Sequence, residues 1–93
     1  MMLEIVLSNR FKRDLKRAVR RGRDTALLEN AVNLLAAGRP LPESSRDHAL
    51  SGDWIGYREC HIQPDWLLIY KVYENELVLL LMRTGTHADL FES

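Results

Sequence analysis

Trp66-Leu67-Leu68-Ile69-Tyr70-Lys71-Val72-Tyr73 is apolar at nearly every position, the pattern of a strand covered on both faces, or on one face and part of the other. Gln63-Pro64-Asp65 precedes it and Glu74-Asn75-Glu76 follows it, and both stretches read as turns. The segments beyond those turns, about Trp54–Ile62 and Leu77–Arg83, are strand-like as well. The second half of the chain therefore predicts an antiparallel meander with Trp66–Tyr73 in the middle.

The turns set an expected register. With Pro64-Asp65 as the first turn, Gln63 lies opposite Trp66 and His61 opposite Leu68; with Glu74-Asn75 as the second, Leu68 lies opposite Leu81 and Trp66 opposite Arg83. Glu59, His61, Trp66, Tyr70 and Arg83 then share one face. Cys60, Ile62, Leu67, Ile69, Leu80 and Met82 share the other, which is the face expected under the helices.

Upstream, Met2 to Leu7 reads as a strand with Leu3, Ile5 and Leu7 on one side. Ser8 suits an N-cap, and Phe11, Leu15, Ala18 and Val19 recur at helical spacing up to Gly22. Asp24 caps a second helix whose apolar face is Leu27, Leu28, Ala31, Val32, Leu34 and Leu35, ending at Gly38. From Pro40 to about Asp53 no period is sustained, so His48 is expected in a loop. The expected fold is α+β, in the order β-α-α-β-β-β: an antiparallel sheet of about four strands with a two-helix hairpin packed on it. Residues 1–93 form a single domain on this reading.

Composition narrows the function. With 46% hydrophobic and 28% charged residues the chain is ordinary for a globular protein. Its single cysteine makes no internal disulfide, no leader-like segment opens it, and its longest apolar run is far short of a membrane span. A cytoplasmic protein without membrane contact is expected. Net charge is zero, yet residues 1–39 carry nine Lys/Arg against four Asp/Glu and residues 40–93 carry four against nine. Lys12, Arg13, Lys16, Arg17, Arg20 and Arg21 concentrate the excess on the first helix, a candidate nucleic-acid surface or a solvated helix face.

The chemistry-bearing residues cluster late in the chain. His48, His61 and His87 stand near turns and strand ends, and imidazole titrates closer to neutral pH than any other unperturbed side chain. Were the substrate RNA, cleavage without a metal would need a base for the 2′-hydroxyl, an acid for the leaving 5′-oxygen and a cation for the phosphorane. His48 and His61 can exchange protons, Asp65 can orient a histidine, Arg83 can hold a phosphate bidentately, and His87 offers a further proton or phosphate contact. Asp65 also suits its turn without any further role, and Arg83 suits a plain ion pair. Trp54, Trp66, Tyr57, Tyr70 and Tyr73 read mostly as core. Phe91, close to the terminus, does not. A zinc site from His48, Cys60, His61, Asp65 and His87 is disfavoured by spacing, since no pair has the short separations that usually bring ligands together. No phosphate-binding glycine loop or nucleophile elbow is present.

The run Asp47-His48-Ala49-Leu50-Ser51-Gly52-Asp53-Trp54 to Asp65-Trp66-Leu67-Leu68-Ile69-Tyr70-Lys71, with Arg83-Thr84-Gly85-Thr86-His87-Ala88-Asp89-Leu90-Phe91, resembles the YafQ-type toxins of the RelE superfamily. The first half resembles them in layout. The resemblance implies a ribosome-dependent endoribonuclease of a type II toxin–antitoxin system that cuts messenger RNA in the ribosomal A site by metal-independent 2′-hydroxyl attack. It implies His48 and His61 as acid-base residues, Asp65 and His87 in support of cleavage, and Phe91 as an orienter of a nucleotide. Glu59 stands where the family has an aspartate, keeping a carboxylate at the site with longer reach. No cofactor or metal is implied. Implied partners are a cognate antitoxin, the 70S ribosome with its message, the ribosomal RNA phosphates facing the basic helix, and operator DNA reached through the antitoxin. The competing reading is a ParE-like toxin of similar fold that poisons DNA gyrase by binding alone; three histidines in these positions weigh against it.

Overall fold

The computed structural model describes residues 2–91. Strand β1 (Glu4–Leu7) leads into helices α1 (Asn9–Arg20) and α2 (Thr25–Ala36), then a two-residue strand β2 (His48–Ala49), strands β3 (Arg58–Gln63), β4 (Trp66–Tyr73) and β5 (Val78–Gly85), and a short helix α3 (His87–Phe91). Single 3-10 turns at Glu43–Ser45 and Gly52–Trp54 shape the loop around β2. No helix among these residues is long and apolar enough to cross a membrane.

Both long helices begin where their caps dictate. Ser8 Oγ accepts from Phe11 N at 2.9 Å and donates to Met82 O at 2.7 Å, so the cap also pins α1 to β5. Asp24 Oδ1 accepts from Ala26 N at 3.0 Å at the start of α2. Phe11, Asp14 and Ala18 form the buried stripe of α1, whereas Val19, expected on that stripe, is 55% exposed.

The sheet runs β1-β5-β4-β3-β2 and is mixed rather than wholly antiparallel: β1 pairs parallel with β5, reached through the α1–α2 crossover. A fifth strand appears because His48 and Ala49 pair with Glu59 and Arg58, so His48 lies on a strand and not in a free loop. Gln63 faces Trp66 as expected, but an irregularity between His61 and Gln63 sets His61 opposite Leu67. The β4–β5 turn takes four residues, 74–77, instead of the expected two, which sets Tyr70 opposite Leu81, and a second irregularity then puts Ile69 opposite Arg83 with Met82 as the extra residue. Each irregularity shifts pairing by one, so the expected faces are exchanged in part. Trp66, Leu68 and Tyr70 join Cys60, Leu79 and Leu81 under the helices, against Phe11, Leu28, Val32 and Leu35. Leu67, Ile69 and Met82 pack on the opposite face with Leu50, Trp54, Tyr57 and Leu90.

Candidate active site

Glu59 is the hub. It is 4% exposed on β3, and its Oε1 faces the Nε2 of His48 at 3.8 Å and the Nε2 of His61 at 3.7 Å. His48 reaches this point because β2 pairs it directly across from Glu59. Its Nδ1–H donates to Arg46 O at 2.6 Å, which fixes the ring and leaves Nε2 towards the carboxylate. Beside His48, Asp47 Oδ1 accepts from the Tyr70 hydroxyl at 2.6 Å and from Arg58 Nε at 3.2 Å, anchoring the short strand. Burial, then the bond to Asp47, pushes the Tyr70 phenol well above its ordinary range.

The third imidazole arrives from the other end of the chain. The rings of His61 and His87 meet edge to face with centroids 5.9 Å apart, and His87 lies 6.1 Å from Phe91, which is 42% exposed. His87 Nδ1 stands 3.9 Å from Asp65 Oδ1 at the β3–β4 turn, beyond direct hydrogen-bond reach, with both side chains more than half exposed. The structure thus brings His48, Glu59, His61, His87, Asp65 and Phe91 into one constellation. Among the described residues Glu59, His61 and His87 also offer three ligand atoms within 4.8 Å of one another. Spacing along the chain did not reveal that set, because β3 and α3 meet only in space.

Helix α3 is held by a capping box. Thr86 N donates to Asp89 Oδ2 at 3.0 Å and Asp89 N to Thr86 Oγ1 at 3.1 Å. The fold-back leaves no space at Gly85, where an added Cβ would lie 2.9 Å from Asp89 Cβ in a backbone at φ +158°.

Arg83 lies outside the constellation. Its Nε and Nη2 donate to Asp14 at 2.6 and 3.1 Å, and its side chain is only 11% exposed, so the guanidinium expected on a phosphate is taken up by a buried carboxylate. Asp14 also accepts from Thr84 N at 3.2 Å and Arg17 Nη2 at 3.0 Å. The basic helix divides accordingly. Arg17 and Arg21 are tied to Asp14 and Asp89, while Lys12, Arg13, Lys16 and Arg20 are exposed and pair with no described carboxylate. Of the six cations expected on a nucleic-acid surface, two are thus engaged by internal carboxylates and, among the described residues, four are not.

Residues 3–92 match the family described as the bacterial toxin of type II toxin–antitoxin system, YafQ. The chain belongs to the YafQ family. It is 43% identical over 89 residues to the mRNA interferase toxin YafQ of Escherichia coli K12, with 95% of each chain covered. The E. coli DinJ–YafQ toxin–antitoxin complex matches at a TM-score of 0.88, with 41% identity over 98% of this chain and 99% of that one. A metal-bound toxin from Helicobacter pylori matches at 0.92, with 43% identity over 97% and 100%. YafQ-family membership agrees with the resemblance read from the sequence, and the likeness in fold extends across both helices and the mixed sheet.

Proposed function

We propose that this YafQ-family toxin is an endoribonuclease that cuts messenger RNA in the ribosomal A site and so stops translation. The observation that carries the reading is the meeting of two Nε2 atoms, from His48 and His61, on Glu59 Oε1 with His87 alongside. Two imidazoles gathered at one carboxylate can serve as proton acceptor and proton donor, the pairing that acid-base cleavage needs. One imidazole takes the 2′-hydroxyl proton while the 2′-oxygen bonds to phosphorus. Another returns a proton to the departing 5′-oxygen as the P–O5′ bond breaks, leaving a 2′,3′-cyclic phosphate. Side chains supply every proton, so no metal enters the scheme. Asp65 orients His87, and Phe91 offers an exposed ring on which a base can stack.

Docking on the ribosome falls to Lys12, Arg13, Lys16 and Arg20, which have no internal counter-ion among the described residues and can neutralise ribosomal RNA phosphates. The E. coli relative is found in complex with DinJ; a cognate antitoxin is accordingly the proposed silencing partner here, and operator DNA binding by the pair would run through that antitoxin.

Purified toxin on programmed ribosomes tests the reading. Message cut in the A site with a cyclic phosphate end is expected, and a His48→Ala, His61→Ala double variant should lose at least about a thousandfold in rate. Intact message with folded toxin, or full cutting by the double variant, refutes it.

A further inference from the structure

With Arg83 held by Asp14, the proposed chemistry lacks a cation for the phosphate, and a different arginine, Arg46, shares a cleft with His61. Arg46 follows the 3-10 turn at Glu43–Ser45 in the left-handed conformation, φ 48° and ψ 43°. Residues other than glycine adopt this backbone rarely and at a cost, and such sites gather where function requires them. Two consequences follow from it. The Arg46 carbonyl is aimed at His48, accepting its Nδ1–H at 2.6 Å. Arg46, exposed and paired with no described carboxylate, also lines a cleft of about 340 Å³ together with Ser44, Ser45, His61, Ile62, Gln63 and Pro64. Gln63 accepts from Arg23 through Oε1 at 3.1 Å, so its NH2 group is left as a donor. Its lining residues carry a guanidinium, two hydroxyls, an amide donor and an imidazole beside the apolar Ile62 and Pro64, and none carries a carboxylate. That set selects an anion with several acceptor oxygens.

We propose that this cleft binds the phosphodiester of the single-stranded RNA next to the bond being cut, with Arg46 as its principal ligand. Arg46 acts twice: its side chain holds the phosphate and its carbonyl fixes the tautomer of His48. The proposal rests on the ribonuclease reading for its substrate. His61 joins the two regions, since it both lines the cleft and faces Glu59.

Two variants separate the side chain from the backbone. Arg46→Gly keeps the left-handed backbone and removes the charge, whereas Arg46→Lys keeps a charge without the bidentate fork. The probe is an RNA trinucleotide with 2′-deoxy first and central sugars, which lacks both attacking hydroxyls and binds without being cut, titrated by NMR at several salt concentrations. Wild type should show shifts at the Ser45 amide, the Arg46 Nε–H and the His61 ring. Arg46→Gly should bind about tenfold more weakly, the loss of one solvent-screened charged contact. Its log–log salt slope should be shallower by about 0.7, with Arg46→Lys in between. On programmed ribosomes Arg46→Gly should raise KM more than it lowers kcat, because His48 keeps its backbone acceptor.

Absence of trinucleotide binding by wild type, or wild-type affinity and salt slope in Arg46→Gly, overturns the proposal. So does a loss of cleavage on ribosomes with trinucleotide binding unchanged, which would assign the cation to ribosomal RNA. A folded wild-type protein that leaves message intact refutes the nuclease reading instead, and the trinucleotide titration then still decides the role of Arg46.

Discussion

Arg21, at the end of α1, forks onto Asp89 of α3: Nη1 donates to Oδ2 at 2.7 Å and Nη2 to Oδ1 at 3.3 Å. The same carboxylate closes the cap on Thr86, so a side chain of the basic helix steadies the turn that presents His87. Asp89→Asn and Arg21→Ala should each lower kcat on programmed ribosomes by about tenfold while the melting temperature moves little, since the arginine side of the pair is open to solvent. Were Arg21 instead a ribosome contact, Asp89→Asn would free it and docking would tighten. The KM of Asp89→Asn decides between the two.

Acid should not release this tether within the working range. The hydrogen bond from Arg21 holds the Asp89 carboxyl well below the usual carboxylate range. A depressed folded value means that its contribution is present above the ordinary value near 4 and is lost only as pH falls further, through the folded one. Cleavage measured from pH 8 down to pH 5 should therefore show the same response to acid in wild type and Asp89→Asn, apart from the constant factor.

Asp14 is a different kind of pair, because both it and Arg83 are largely buried. Asp14→Ala leaves the Arg83 guanidinium and Thr84 N–H without their acceptor and should destabilise the fold by about 3 kcal/mol. For a domain of this size that lowers the melting temperature by more than 10 °C, on the order of 4–8 °C per kcal/mol. Asp14→Ala combined with Arg83→Met should recover most of the loss in denaturant titration. No recovery would mean that Asp14 acts chiefly through Thr84 and Arg17.

Glu59, His61 and His87 present three donors to one point, a set suited to zinc or copper. An ion there would occupy the atoms that the proposed reaction uses for proton transfer. Added Zn²⁺ should therefore inhibit cleavage, EDTA equimolar with the zinc should restore it, and His87→Ala, which removes one of the three donors, should weaken Zn²⁺ binding in calorimetry. Zn²⁺ that binds without inhibiting would place the ion elsewhere.

Alkali should be felt in the core under the helices. Burial pushes the Cys60 thiol up to about 12 from an ordinary value of 9.0, and burial with the Asp47 bond raises the Tyr70 phenol too. Raised folded values mean that stability is complete below the ordinary pKa and declines as pH climbs from about 9 towards the folded values. Urea midpoints at pH 8 and pH 11 should fall accordingly, and iodoacetamide should label Cys60 only after unfolding.

The order of elements was legible because strong local signals marked it: the Pro64-Asp65 turn, the unbroken apolar run of β4, and the Ser8 and Asp24 caps. β2 escaped notice because two residues carry no period, and its pairing is decided by Glu59 and Arg58 across the gap. That Cys60 shares a face with Trp66, Leu68 and Tyr70 depended on a single-residue irregularity after His61, and the register of β5 on a four-residue turn, neither of which alternation encodes. At the candidate site, the histidines and Asp65 stood out by type and were brought together by topology. Arg83 misled because charge alone does not say which carboxylate takes it. A cue was present nevertheless, since Asp14 falls three residues after Phe11 and four before Ala18, on the buried stripe of α1. Thr86-x-x-Asp89 was likewise a readable capping box that would have foretold α3.

Gly85 gives a way to disarm the protein without touching any imidazole. A methyl group there would collide with Asp89 Cβ at 2.9 Å and force the short terminal helix to re-seat. Gly85→Ala should therefore yield a folded toxoid that host cells tolerate without its antidote, and colony counts after induction would reveal it. One carbon atom would separate poison from passenger.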